Sequence, residues 1–160
     1  MKVLAIDTTS PIASAAVWED GCQLASFTVN GALSHSVTML PMIDACLSSL
    51  GLSLADADVL ACSAGPGSFT GVRIGVSTLK GLAFADDKPC VGVSTLEALS
   101  RNLTGFPGLI VPVMNARRGQ VYAAIFSSDG TAVTRLTEDG LLPYAELEEK
   151  LRALQYGRPV

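Results

Sequence analysis

The chain is poor in the residues from which most active sites are built. Its 160 residues hold one histidine, four cysteines and one tryptophan, and charged side chains make up only 16% of it. Counting alone excludes most metal centres built on imidazole. The single histidine, His35, lies between Ser34 and Ser36 with no acid placed behind it, so it reads as a helix-cap or surface residue rather than a hydrolase base. Cys22, Cys46, Cys62 and Cys90 stand apart with no C-x-x-C pair, which argues for free thiols in a reducing cytosol over disulfides or zinc. No apolar run approaches the roughly 18 residues needed to span a bilayer. Asp7 comes too early for a signal-peptide core, so a cytoplasmic protein without membrane contact is expected. With 11 basic against 15 acidic residues the net charge is −4, which excludes a broad basic surface for grasping nucleic acid unaided.

What is present is apolar. Hydrophobic residues reach 49%, and the length suits one domain or two small lobes. Residues 3–8, 12–18 and 23–29 read as strands, the last two parted by Asp20-Gly21, a hairpin signal. Residues 35–50 turn to helical spacing behind Ser34 as N-cap, with Pro41 inside and Gly51 at the end. Val37, Leu40, Ile43, Leu47 and Leu50 form one stripe, and Met39, Met42 and Cys46 a second. Strand 59–63, helix 69–85 and strand 90–93 compose a β-α-β crossover, followed by a short helix at 95–102. The Thr104–Gly108 segment marks a boundary between lobes 1–104 and 105–160. Beyond it strands at 109–114, 120–127 and 131–136 precede a helix at 144–154. The layout β-β-β-α thus occurs twice, the second time in short form.

The segment 69–85 is apolar around most of its girth. Phe69, Val72, Val76, Leu79 and Ala83 cover one side, Ile74, Thr78 and Leu82 much of the opposite one, and only Arg73 and Lys80 form a polar ridge. Such a helix needs cover on more than one face. The sheet and helix 35–50 supply two, and a partner subunit would supply the rest. Gly71 and Gly75 each cost about 1 kcal/mol against alanine in a helix interior. Two readings stand for them: they seat the helix on its own sheet, or they admit a partner's backbone. On the second reading Met39, Met42, Cys46, Gly71, Val72, Ile74, Gly75 and Leu79 belong to a partner interface, and Gly71→Leu breaks assembly without unfolding the monomer.

Candidate chemistry is sparse. Asp7-Thr8-Thr9-Ser10 closes the first strand with a carboxylate and three hydroxyls. It is either a vestigial phosphate or Mg²⁺ turn or, since one turn alone cannot bind a nucleotide, a hydroxyl-rich hairpin turn. Gly65-Pro-Gly-Ser-Phe-Thr-Gly71 opens a helix but lacks the lysine of a P-loop, so it reads as a tight strand-to-helix turn. Arg117-Arg118-Gly119 is a basic turn, either idle or a contact for RNA phosphate or an acidic partner. Glu146, Glu148 and Glu149 read as a solvated helix face.

Several of these runs together resemble one family. Residues 1–10, His35-Ser36 with Leu40-Pro-Met-Ile-Asp44, Ala64-Gly-Pro-Gly-Ser-Phe-Thr-Gly-Val-Arg-Ile-Gly75, Lys80–Ala83, Gly92–Ala98 and Val113-Met-Asn-Ala-Arg-Arg-Gly-Gln-Val-Tyr122 are similar to those of the TsaB (YeaZ) family. The resemblance implies an α/β, actin-like ATPase (ribonuclease H-like) fold of two lobes. It also implies a non-catalytic scaffold that dimerises alone and binds TsaD, with TsaE, in the threonylcarbamoylation of tRNA adenosine 37. The resemblance puts Thr95 and Leu99 where the catalytic relative TsaD carries its two metal-binding histidines. No catalytic residue, metal or cofactor is therefore expected, and tRNA is reached through the complex. By the same resemblance helices 35–50 and 69–85 form the dimer and TsaD face. Asn115 departs from the family's Asp-Ala-Arg run, and the family's members continue beyond the length of this chain. Rival readings are an ATP-dependent small-molecule kinase of the same fold and a metallopeptidase-like protein.

Overall fold

The computed structural model describes residues 1–31 and 34–155. By internal contacts the chain divides into two compact units, Met1–Val93 and a second beginning at Ser94.

The first unit is built on one five-stranded sheet. β1 (Lys2–Asp7), β2 (Ile12–Glu19) and β3 (Cys22–Asn30) form the antiparallel meander expected from the hairpin signal. β4 (Val59–Ser63) and β5 (Cys90–Val93) join in parallel, giving the order β3-β2-β1-β4-β5, which places the fold with the ribonuclease H-like lobes of the actin-like class. Register puts Leu4 opposite Val17 and Leu60, and Ile6 opposite Ala15 and Cys62. Side chains alternate along a strand, so all six share one buried face. Helices α1 (His35–Ser48) and α2 (Phe69–Ala85) cover that face, with a single 3-10 turn at Leu54–Asp56 between them. Met39, Met42, Ile43, Cys46 and Leu47 of α1 and Leu79 and Ala83 of α2 enter the same core. Burial pushes the Cys46 and Cys62 thiols up from their ordinary values, which keeps them as small apolar groups.

The second unit corrects the sequence reading in two respects. Its boundary lies ahead of residue 104, because α3 (Thr95–Arg101) buries Leu96 with Ile110, Ala124, Phe126 and Val133. Nor is it a three-stranded β-β-β-α lobe. The expected strand at 109–114 is cut by Pro112, which has no N–H to give a ladder. It becomes β6 (Pro107–Ile110) and β7 (Val113–Arg117). The run at 120–127 becomes β8 (Gln120–Ala123) and β9 (Phe126–Asp129), and it changes sheets at Ala124–Ile125. There the Thr137 hydroxyl accepts from the Ile125 amide at 2.9 Å. With β10 (Val133–Arg135) and β11 (Gly140–Pro143) the strands form two sheets, β10-β9-β6 and β11-β8-β7, followed by α4 (Tyr144–Gln155). The β9–β10 turn is tied by Asp129, whose carboxylate accepts from the amides of Ala132 and Thr131 and from the Thr131 hydroxyl, holding its pKa down at about 2.

Within this unit α3 is fixed by a polar network. Glu97 pairs with Arg101 at 3.1 Å and with Arg135 at 3.3 Å, and Arg135 pairs with Asp139 at 2.7 Å. Asp139 also accepts from Ser94, whose hydroxyl caps the helix by accepting from the Glu97 amide. The hydrogen bonds from Arg101 and Arg135 hold the Glu97 carboxyl below its ordinary pKa.

Candidate functional site

The sequence marks three places: the turn at Asp7–Ser10 with the glycines of α2, the outer face of α1 and α2, and the Arg117–Arg118 turn.

The first is a closed joint. Asp7 accepts on Oδ1 from the Thr9 amide and hydroxyl, at 2.7 and 2.8 Å, and on Oδ2 from the Ser63 hydroxyl at 2.8 Å. Thr8 is buried, and its hydroxyl donates to the Gly71 carbonyl at 2.7 Å. The Ser68 amide at the mouth of α2 donates to the Thr9 carbonyl at 2.7 Å. A methyl group at Gly71 would lie 2.0 Å from the Thr8 carbonyl oxygen, one at Gly75 2.4 Å from the Thr8 hydroxyl, and one at Gly67 2.6 Å from Thr9. The glycines therefore seat α2 on the β1–β2 turn, and the carboxylate and hydroxyls of Asp7, Thr8 and Thr9 bond within the fold. His35 adds a further tie, its Nε2 2.8 Å from the Ser10 carbonyl oxygen, which needs the proton on that nitrogen.

This corrects the residue assignment of the partner face. Met39, Met42, Cys46 and Leu79 lie in the core, Gly71 and Gly75 face Thr8, and Val72 and Ile74 are only half-buried. What the helices present outward is different. On α2 the exposed residues Phe69, Arg73, Ser77, Lys80 and Phe84 recur at steps of three and four, one stripe along the helix. Phe69 is 70% and Phe84 90% exposed. The Arg73 guanidinium lies over the Phe69 ring, 3.7 Å from its centroid, in cation–π contact. On α1 Val37 and Leu40 are 59% and 52% exposed. On the helical wheel Phe69 groups with Val72, Val76, Leu79 and Ala83, but it sits at the edge of the exposed stripe in the first turn, where Arg73 one turn on reaches its ring.

The third place is a strained hairpin tip. Arg117, Arg118 and Gly119 all have positive φ, at 69°, 52° and 74°. Arg117 pairs with Gln120 across a register shift, leaving Arg118-Gly119 as a two-residue turn with left-handed backbone at both positions. The Asn115 side-chain oxygen accepts from the Arg117 amide at 2.7 Å, a bond an aspartate would also make. Arginine is a costly choice at such a position, where asparagine is preferred. Arg118→Asn is therefore expected to stabilise the second unit by roughly 0.5–1 kcal/mol, raising its melting temperature by a few degrees. Thermal denaturation followed by circular dichroism checks this, and an unchanged or lower midpoint would show that the turn carries no strain.

At the start of α3, Thr95 is buried, and its hydroxyl is the one buried side-chain polar atom among the described residues without a hydrogen-bond partner. Leu99 is exposed. Among the described residues no three His, Cys, Asp or Glu side chains cluster as metal ligands. No described helix is long and apolar enough to cross a membrane.

Comparison with known proteins adds the family. A family model described as "TsaD: tRNA N6-adenosine threonylcarbamoyltransferase" matches residues 30–155. The tRNA threonylcarbamoyladenosine biosynthesis protein TsaB of Bacillus subtilis is 34% identical over 100% of this chain and 69% of its own length. That of Escherichia coli is 38% identical over 83% of this chain and 58% of its own. In structure, YeaZ from Pseudomonas aeruginosa superposes with a TM-score of 0.81 at 30% identity, covering 89% of this chain and 67% of that one. The chain thus spans 58% to 69% of the length of these relatives. With the sheet order, the helix pair and the glycine joint in place, the chain belongs to the TsaB (YeaZ) family, within the wider TsaD family.

Proposed function

We propose that this chain acts in tRNA threonylcarbamoyladenosine biosynthesis as a non-catalytic cytoplasmic subunit. It binds a TsaD homologue through the outer face of α1 and α2, works alongside TsaE, and pairs with itself when TsaD is absent. The observation that carries this reading is the exposed α1–α2 face. A chain with a well-filled core leaves Phe69, Phe84, Val37 and Leu40 in water, which is the pattern of a surface awaiting a partner. Thr95 and Leu99 offer no imidazole where the catalytic relative carries its metal ligands, which supports a role without chemistry of its own.

The test is co-purification of this chain with a TsaD homologue, together with tRNA modification assayed with and without it. The expected result is a stable complex and modification that depends on this chain. Full-rate modification without it would overturn the proposal. Tight binding of ATP·Mg²⁺ with phosphoryl transfer by the isolated chain would favour the kinase reading instead.

A further inference from the structure

The outer stripe of α2 is not merely apolar; its centre is cationic. Among the described residues every lysine and arginine side chain outside this stripe and the Arg117–Arg118 turn has an ion-pair or carbonyl partner. Arg73 and Lys80 have neither, in a chain of net charge −4. They flank Ser77 almost symmetrically, with an exposed phenylalanine beyond each. Arg73 is already held in place over the Phe69 ring, so little side-chain freedom remains to be lost when it meets a carboxylate.

This pattern bears on which partner fits. A two-fold pairing of α2 with a second copy makes like surfaces meet. With the helices antiparallel and crossing at Ser77, Arg73 faces the copy's Lys80, which sets cation against cation. On α1 the exposed acidic residue is Asp44, and the exposed Asp86 and Asp87 lie past the end of α2, nine and ten residues from Ser77, so neither set sits at the crossing to neutralise both cations. A different protein that offers carboxylates at the same spacing, between apolar pockets for the two rings, satisfies the whole stripe.

We infer that the α2 stripe selects a heterologous protein partner with an acidic helix face, and that its own charges hold self-pairing weak. The inference rests on the α1–α2 face being the partner surface. It makes the two associations respond oppositely to salt and to charge reversal. Raising salt from low to high screens the repulsion between copies and the attraction to the partner alike. Self-association therefore tightens while binding of the partner weakens.

The experiment is sedimentation equilibrium of the chain alone and titration against the TsaD homologue, for wild type and three variants. Arg73→Glu, and separately Lys80→Glu, should tighten self-association about tenfold, because each turns a like-charge contact into an ion pair, and should weaken TsaD binding about tenfold. The double variant restores like charge, now negative, so self-association falls back to the wild-type level or below while TsaD binding is weakest. Weakening of self-association by either single variant, or TsaD binding unmoved by all three, would overturn the inference. Phe84→Ala separates the two claims. If it weakens TsaD binding while the charge variants do not, the face is right and the charge selection wrong; if it too has no effect, the face itself is wrong. Retention of tRNA by the isolated chain, lost in Arg73→Glu, would also overturn the inference, assigning the cations to a phosphate backbone.

Discussion

Gly71→Ala is expected to lower the melting temperature of the first unit by roughly 10 °C or more. The added methyl group would sit 2.0 Å from the Thr8 carbonyl oxygen, far inside van der Waals contact. The clash can be relieved only if one side retreats. Thr8 is pinned by its hydroxyl bond to the Gly71 carbonyl and by the bonds of its neighbours Asp7 and Thr9 to each other, to Ser63 and to the Ser68 amide. Helix α2 can move outward only by lifting Leu79 and Ala83 from the core they share with Leu4 and Leu60. Overpacking of this kind costs about 1–3 kcal/mol and occasionally more, and the backbone atom on the receiving side places this case at the upper end. Gly81→Ala is the internal control. It lies exposed in the same helix with nothing within 4 Å of the added carbon, and is expected to stabilise by about 0.5–1 kcal/mol. Thermal melts of both variants decide the point. A folded Gly71→Ala with unchanged midpoint and lost partner binding would restore the reading in which a partner's backbone approaches that glycine.

The sequence alone gives no way to choose between those readings. A glycine pair four apart on a helix announces that something comes close, and the spacing does not say what. Here it is Thr8, 63 residues earlier in the chain, brought in by the parallel pairing of β1 with β4. The sheet of the first unit was legible because each strand carries its own boundary signals and the β-α-β crossover leaves little topological freedom. The second unit was less so. Residues 120–127 are one continuous run of strand-forming residues, and the switch of sheets at Ala124–Ile125 is imposed by which strands lie alongside. No local pattern encodes that. β11 went unread for a related reason: Gly140, Leu141, Leu142 and Pro143 show no alternation, and β8 alone makes them a strand.

The proposed partner face shows the same limit from another side. Helical periodicity marks α1 and α2 as having much apolar surface, but the choice of glycines for close approach and methionines for adaptable contact takes no account of the direction in which each residue points. Met39, Met42 and Leu79 point into the core, whereas the equally apolar Val37 and Leu40 do not. The surplus is left at the ends of α2 and the start of α1, on residues that sit beside charges in the helical wheel. Asp7 and Thr8 are a milder case: the internal bonds, which engage both carboxylate oxygens, are those of a hydroxyl-rich turn.

Phe84→Ala is expected to weaken binding of the TsaD homologue by about 30-fold or more while leaving the chain's own stability within about 0.5 kcal/mol of wild type. The asymmetry follows from where the ring is. At 90% exposure it makes almost no contact within the chain, so its truncation leaves no cavity. In a complex the same ring is a large apolar group at the end of a cationic stripe, the kind of anchor that carries a disproportionate share of binding energy once water is excluded around it. Phe69→Ala should act less cleanly, since it also releases the Arg73 guanidinium stacked on that ring and so removes both an anchor and the restraint on a charge. Titration of each variant against the TsaD homologue, with a thermal melt as the folding control, separates these effects. Phe84→Ala should change affinity with the salt dependence kept, whereas Phe69→Ala should also flatten the salt dependence. An unchanged affinity in Phe84→Ala would mean that the outer end of α2 stays in water in the complex, and the partner surface would then have to be sought elsewhere on the chain.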